Sequence, residues 1–239
     1  FGTASGEFKG SGEYLSLADN DDWNFGSGDF TIDGWVKANS LTGDPTLFAQ
    51  YLSGSYYMES KIGSDGSVYF RTFNSGGNVN FTSAAGEIVV GNWYHVALVR
   101  NGSNWKIFKN GSVIGSASVS LTFDDYTTIF GIGVSNLGLS TPAQFLIGWL
   151  DEFRISKGIA RWTSGFTPPT APYDVDTTAP TVSSTSPSNS ATGVGVSSAI
   201  SATFSEDMDS STITTSAFTL GGSSSSSGSS IRQAQDRSV

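Results

Sequence analysis

Carboxylates dominate the residues able to do chemistry, with 21 Asp and Glu against 12 Lys and Arg, a single histidine and no cysteine. Without cysteine, thiolate metal sites, disulfide frameworks and a cysteine nucleophile are impossible. Any bound metal must therefore take oxygen ligands or His95. The densest oxygen cluster is Asp19, Asn20, Asp21 and Asp22, just before Trp23, and its short acids suit a hard cation such as calcium. The same residues favour turns for local reasons, so a solvated turn is the alternative. Asp124 and Asp125 form a lesser version of the same pattern.

Asp151 carries the most information among the single acids. Strand alternation puts it on one face with Phe145, Ile147, Trp149, Phe153 and Ile155, and an acid on an apolar face must be paired, hydrogen-bonded or metal-bound. His95 shares strand parity with Trp93, Ala97 and Val99 and reads as a hydrogen-bonded structural histidine. A Ser-His-Asp triad has no nucleophile-elbow sequence to support it. Glycoside hydrolysis needs two carboxylates facing each other across a cleft. Asp151 and Glu152 are neighbours whose side chains point to opposite faces of a strand. The chain is therefore read as non-enzymatic, with a polysaccharide hydrolase or lyase as the least favoured alternative.

Sugar recognition needs exposed aromatic rings beside planar polar groups. Trp35, Tyr57, Glu59, Tyr69 and Arg71 are the candidate ligand-binding residues. Tyr69, Arg71 and Phe73 share one strand face, Tyr57, Glu59 and Lys61 share another, and Trp35 has the parity of Thr31, Asp33 and Lys37. If these strands are neighbours in one sheet, the rings form a platform. The competing expectation is that they line a core between two sheets.

The elements able to hold these side chains are strands. Short runs rich in Val, Ile, Phe, Tyr, Trp and Thr alternate with Gly, Asn, Asp and Ser clusters, and no long stretch has helical spacing. Strands are expected at residues 13–17, 29–37, 45–51, 55–62, 67–73, 93–100, 105–109, 112–119 and 144–156. Asn101-Gly102-Ser103-Asn104 and Asn110-Gly111 supply hairpin turns, so the three strands between Trp93 and Val119 form an antiparallel meander. Two packed sheets or a barrel would bury so many inward faces.

After Phe166 the run Thr167-Pro168-Pro169-Thr170-Ala171-Pro172 cannot continue a central strand, which sets a domain boundary near Tyr173. Residues 174–220 are Ser- and Thr-rich, with strand-like pieces at 181–184, 199–204 and 217–220. Gly221 to Ser230 has linker composition, and residues 231–239 differ in style from everything before them, as a fusion scar, a frame change or a gene-prediction artefact would. A net charge of −9 repels nucleic acid and anionic membrane surfaces. No apolar run is long enough to span a bilayer, and the chain reads as a fragment or matured form.

The segments Glu7–Leu17 and Gly26–Lys37, then Asn92–Gly102 and Leu150–Ser156, resemble the opening, central and closing strands of a laminin-G-like, concanavalin A-like jelly roll. The resemblance covers about residues 1–173 and implies an all-β, two-sheet antiparallel sandwich. It also implies calcium, with Asp151 stapling the closing strand to the opening segment. Lys9 stands where relatives often carry Asp, and pairing of Asp151 with Lys9 or backbone amides is the metal-free alternative. Gly158–Trp162 and the run to Tyr173 are similar to versions in phage tail and bacterial surface proteins. Residues 176–220 look like the first half of a bacterial Ig-like domain, a spacer in larger surface proteins.

Together these readings imply a non-catalytic extracellular module, secreted, on a cell surface in the manner of an adhesin or virion-associated, that binds a glycan or surface polysaccharide. A structural or protein-binding domain contacting other domains of a larger chain is the alternative.

Overall fold

The computed structural model describes residues 5–137, 139, 141–173, 180–195 and 197–205. Its contacts divide the chain into two compact units, Phe1–Asp174 and Val175–Val239. The expected strand at 217–220, the Gly/Ser run and the tail lie outside the described residues.

The described residues of the first unit form twelve strands: β1 (Gly6–Lys9), β2 (Leu15–Leu17), β3 (Phe30–Ala38), β4 (Thr46–Ser53), β5 (Tyr56–Ile62), β6 (Val68–Asn74), β7 (Gly77–Thr82), β8 (Tyr94–Asn101), β9 (Asn104–Lys109), β10 (Ser112–Ser118), β11 (Phe130–Ile132) and β12 (Ile147–Lys157). They form two six-stranded antiparallel sheets, which we call sheet A (β1-β12-β3-β8-β9-β10) and sheet B (β2-β11-β4-β5-β6-β7). In the second unit, β13 (Val182–Ser186) pairs antiparallel with β14 (Ser201–Phe204).

Alternation explains why these sheets stack. Phe30, Ile32 and Val36 of β3, Leu98 of β8 and Trp105 and Ile107 of β9 turn inward to meet Phe48, Met58, Ile62, Phe70, Val79, Phe130 and Ile132 from sheet B. Trp105 is the crossing point, stacked on Phe70 of the other sheet at 5.7 Å and edge-on to Phe30 at 5.8 Å. Burying each such ring contributes about 1.5–3 kcal/mol. The meander follows its turn chemistry. Asn101 pairs with Asn104 and Lys109 with Ser112, leaving two-residue turns in which Gly102, Asn110 and Gly111 have positive φ.

Three strands were not expected. β7 lies in a Gly/Asn-rich segment, β1 precedes the predicted opening strand, and β11 has three residues. The closing strand begins at Ile147 rather than Gln144, which has positive φ.

One irregularity redirects a face. Between Asp151, opposite Trp35, and Arg154, opposite Asp33, β12 holds two residues against the single Gly34 of β3. Glu152 takes φ +52°, and a Cβ on Gly34 would stand 3.1 Å from Phe153 Cα, so glycine makes room for the bulge. The parity of β12 reverses there. Phe153 and Ile155 pack on the core, whereas Asp151 sits half-buried on the outer face of sheet A. The expectation that Asp151 shares their face is therefore wrong.

Candidate functional site

The aromatic and charged residues of β5 and β6 lie on the outer face of sheet B rather than between the sheets, because Met58, Ser60, Phe70 and Thr72 take the inward positions. Their cross-strand pairs are Tyr57 with Phe73, Glu59 with Arg71 and Lys61 with Tyr69. Tyr51 of β4 extends this face, stacking on Tyr57 at 4.5 Å, and Tyr57 stacks on Phe73 at 5.1 Å. Trp35 is not among them. It stands on the outer face of sheet A opposite His95, so the five expected ligand residues do not form one platform.

Glu59 is the electrostatic centre of this face and is fully buried. It accepts hydrogen bonds from Lys61 Nζ, from Arg71 Nε, from the Tyr51 hydroxyl at 2.5 Å and from Ser135 Oγ at 3.3 Å. Burial alone would raise its pKa, but Lys61, Tyr51 and Arg71 together hold it below the ordinary carboxylate range. Burial beside this carboxylate raises the Tyr51 phenol. A carboxylate held ionised in this way is a poor general acid, and its complete burial keeps it out of reach of a substrate.

The segment after β11 covers this centre. Ser135 reaches Glu59, Leu139 packs on Ala49, Tyr51 and Tyr57, and Gln144 Oε1 accepts from Lys61 Nζ at 2.6 Å. What stays open is the β6–β7 margin. Tyr69 and Arg71 are half-buried, Phe73 is 39% exposed, and the facing Thr82, Asn80 and Asn78 of β7 are exposed. Each ring or guanidinium thus has a polar partner directly across the ladder, and Arg71 lies over the Tyr69 ring at 5.4 Å. Burial and the nearby Asp44 charge push the Tyr69 phenol up to about 12.

Sequence reasoning missed Asn78, Asn80 and Thr82. Their signal was the alternation with inward Val79 and Phe81, masked by the turn-forming composition around them.

The outer face of sheet A is built differently. Asp33 and His95 are both buried there, with His95 Nε2 3.2 Å from Asp33 Oδ2. Arg154 donates to both Asp33 oxygens at 3.1 and 3.0 Å, and the Tyr173 hydroxyl donates to Oδ2. Burial works to raise Asp33, but these bonds keep its pKa below the ordinary value. Residues 158–173 form a strap across this face. Ala160, Trp162 and Phe166 cover Ala97, Val99 and Phe108, Phe166 N donates to Gly111 O at 3.0 Å, and Arg154 lies 3.6 Å from the Tyr173 ring centre.

The expected metal ligands are not assembled. Asp21 and Asp22 sit in a short 3-10 turn whose cap, Asn20, accepts from Asp22 N at 2.8 Å, and Asp19, Asp21 and Asp22 are all exposed. Lys9 pairs loosely with Glu7 at 3.8 Å rather than with Asp151. Among the described residues no three His, Cys, Asp or Glu side chains come together to hold a metal ion.

Comparison with known proteins places these faces in a family context. Residues 9–161 match the model of the concanavalin A-like lectin/glucanases superfamily, and residues 176–238 match a bacterial Ig-like domain. The second match runs through the stretch read above as linker and tail. No curated protein matches.

Among solved structures, domains LG4-5 of the mouse laminin alpha1 chain share 21% identity over 64% of this chain and 40% of theirs, with a TM-score of 0.49. Domain 4 of AbnA, a GH43 extracellular arabinanase from Geobacillus stearothermophilus solved with arabinotriose, shares 19% over 66% of this chain and 77% of its own, at 0.48. The leech intramolecular trans-sialidase, complexed with 2,7-anhydro-Neu5Ac, shares 15% over 67% of this chain and 26% of its own, at 0.51. The chain thus spans less than half the length of the laminin structure. At these identities the likeness is one of fold.

Proposed function

The chain belongs to the concanavalin A-like lectin/glucanase superfamily, and from that membership we propose that it is a non-catalytic recognition module that binds a glycan or surface polysaccharide at the β6–β7 margin of sheet B. One observation carries the reading: Tyr69, Arg71 and Phe73 face Thr82, Asn80 and Asn78 rung by rung, on a rigid sheet and open to solvent. Rings cover sugar C–H surfaces, and carboxamides and the guanidinium pair with hydroxyls. The strip is open along its length, which suits an extended chain better than a buried monosaccharide. The buried Glu59 serves here as a positioning residue that fixes the Arg71 guanidinium.

The module belongs in a secreted, cell-surface or virion-associated protein, with residues 174–220 as part of a spacer. Among the described residues no helix is long and apolar enough to cross a membrane. A second reading, a structural or protein-binding domain, is favoured by the cover of Leu139 over Tyr51 and Tyr57.

The test is a glycan array probed with the full chain, followed by Arg71→Ala and Phe73→Ala, each checked for folding by circular dichroism. Binding to an extended polysaccharide that weakens about ten-fold or more in both variants supports the proposal. A blank array from folded protein, or hits indifferent to both substitutions, transfers the assignment to the structural role.

A further inference from the structure

We propose that sheet A carries a separate subsite, on the molecule's other outer face, for a hydroxyl-rich ligand the size of a single sugar ring. The site is a cleft of about 300 Å³ lined by Val99, Asn101, Asn104, Lys106, Trp162 and Thr163, at the small end of ligand pockets.

Its construction follows from register. Val99 pairs with Lys106 and Asn101 with Asn104, so two successive rungs of the β8–β9 hairpin supply one wall, with all four side chains on the outer parity of sheet A. Gly102 and Ser103 close the hairpin immediately beyond, which holds both asparagines at its tip. The strap supplies the opposite wall through Trp162 and Thr163.

That wall is fixed. Phe166 stacks on Trp162 at 3.8 Å and 5°, and His95 meets the indole edge-on at 5.7 Å. Thr31 Oγ1 donates to Ile159 O at 2.9 Å and accepts from Arg161 N at 3.0 Å, which pins the chain just before Trp162. Lys106 Nζ donates to Thr163 O and ties the two walls together. Both walls thus stand on rigid elements before any ligand arrives.

The lining sets the ligand class. The two carboxamides offer four N–H donors and two carbonyl acceptors, the complement of vicinal hydroxyls. The part of the indole that stays open gives the apolar contact that a sugar's C–H face needs, with Val99 buried behind it. No carboxylate lines the cleft, which excludes acid-base chemistry there. Lys106 Nζ spends one of its three N–H donors on Thr163 O and has two left to meet hydroxyls. The apolar area is too small for a lipid chain.

The experiment is a ¹H–¹⁵N titration of the full chain with methyl α-glucoside, methyl β-galactoside and N-acetylglucosamine, each to about 50 mM. The expected result is a saturable shift of the Trp162 indole N–H and the Asn101 and Asn104 side-chain amides with at least one sugar. Asn104→Ala should weaken that binding roughly five-fold, the loss of about one net hydrogen bond, and Asn101→Ser provides a second variant should the hairpin loosen. Arg71→Ala should leave these shifts intact, so failure of the sheet B reading is told apart from failure here. No saturable shift with any of the three sugars, or an Asn104→Ala response equal to the parent's, overturns the proposal.

Discussion

Replacing Glu59 by Gln should be one of the most damaging single changes on the sheet B face, although it alters one atom. Lys61 Nζ is buried with it, its side chain 1% exposed, and after the change would keep only Gln144 Oε1 and a neutral amide as acceptors. Removing one partner of a buried pair costs about 3–5 kcal/mol. An upper limit comes from the lysine itself, which can shed its proton. Taking an ordinary lysine from pKa ~10.4 to neutral at pH 7 costs roughly 4.6 kcal/mol, and burial already lowers this one.

The expected loss is therefore about 3–4.5 kcal/mol, or roughly 6–18 °C of thermal midpoint for a unit of this size. Lys61→Met alone should cost less, because Arg71 and the Tyr51 hydroxyl still hold Glu59. The double variant should cost about 2 kcal/mol less than the sum of the two single changes. Urea unfolding followed by tryptophan fluorescence measures all four corners of this cycle. Additive single effects, or a Glu59→Gln cost below about 1 kcal/mol, would mean the network is solvated and the argument fails.

Gly111 should not tolerate Ala, since its φ is +80° and a Cβ would lie 1.7 Å from Phe166 O. The strap must then lift, and limited trypsin digestion should cut at Arg161 in the variant before the parent. Asp33 and Glu59 both titrate below their unfolded values, so their contribution is present above about pH 4 and is lost as pH falls through the folded values. Asp33→Asn should flatten that acid limb in a pH series of unfolding midpoints, and an unchanged slope would count against the cluster. Calcium at 1 mM should leave the thermal midpoint in place, because the carboxylates are dispersed. A bound ion at a hundred times its Kd would add about 2.7 kcal/mol, and a rise of several degrees reversed by chelation would show that Asp19, Asp21 and Asp22 or Asp151 rearrange around it.

Much of this architecture was legible because its signals are local. Asn-Gly turns and period-two runs located the β8–β10 meander and placed Tyr57, Glu59, Tyr69 and Arg71 on faces. Which face meets the core is not local information. Tyr57 and Phe73 read as core residues by type, yet Met58, Phe70 and Val79 compete for the same sandwich and win it. Asp151 failed for a different reason, since alternation extrapolates only across an unbroken ladder, and one extra residue at Glu152 defeats it. Trp35 failed because sheet membership depends on strand order, which no pattern within β3 records. Tyr173 was seen only as a boundary marker, although 140 residues of separation end in a bond to Asp33.

That bond also has a mechanical meaning. A pull on the chain beyond Tyr173 reaches the Asp33 carboxylate before it reaches any ladder hydrogen bond of β12, because the strap lies between the load and the sheet. Its attachments at Tyr173, Phe166, Arg161 and Ile159 would give way in succession, as a peeling seam does. Single-molecule stretching should register about 5 nm of extension, some sixteen residues at roughly 3.4 Å each, at low force and ahead of the main rupture. The sandwich would thus carry its own fuse, yielding at the rim while both outer faces keep their shape.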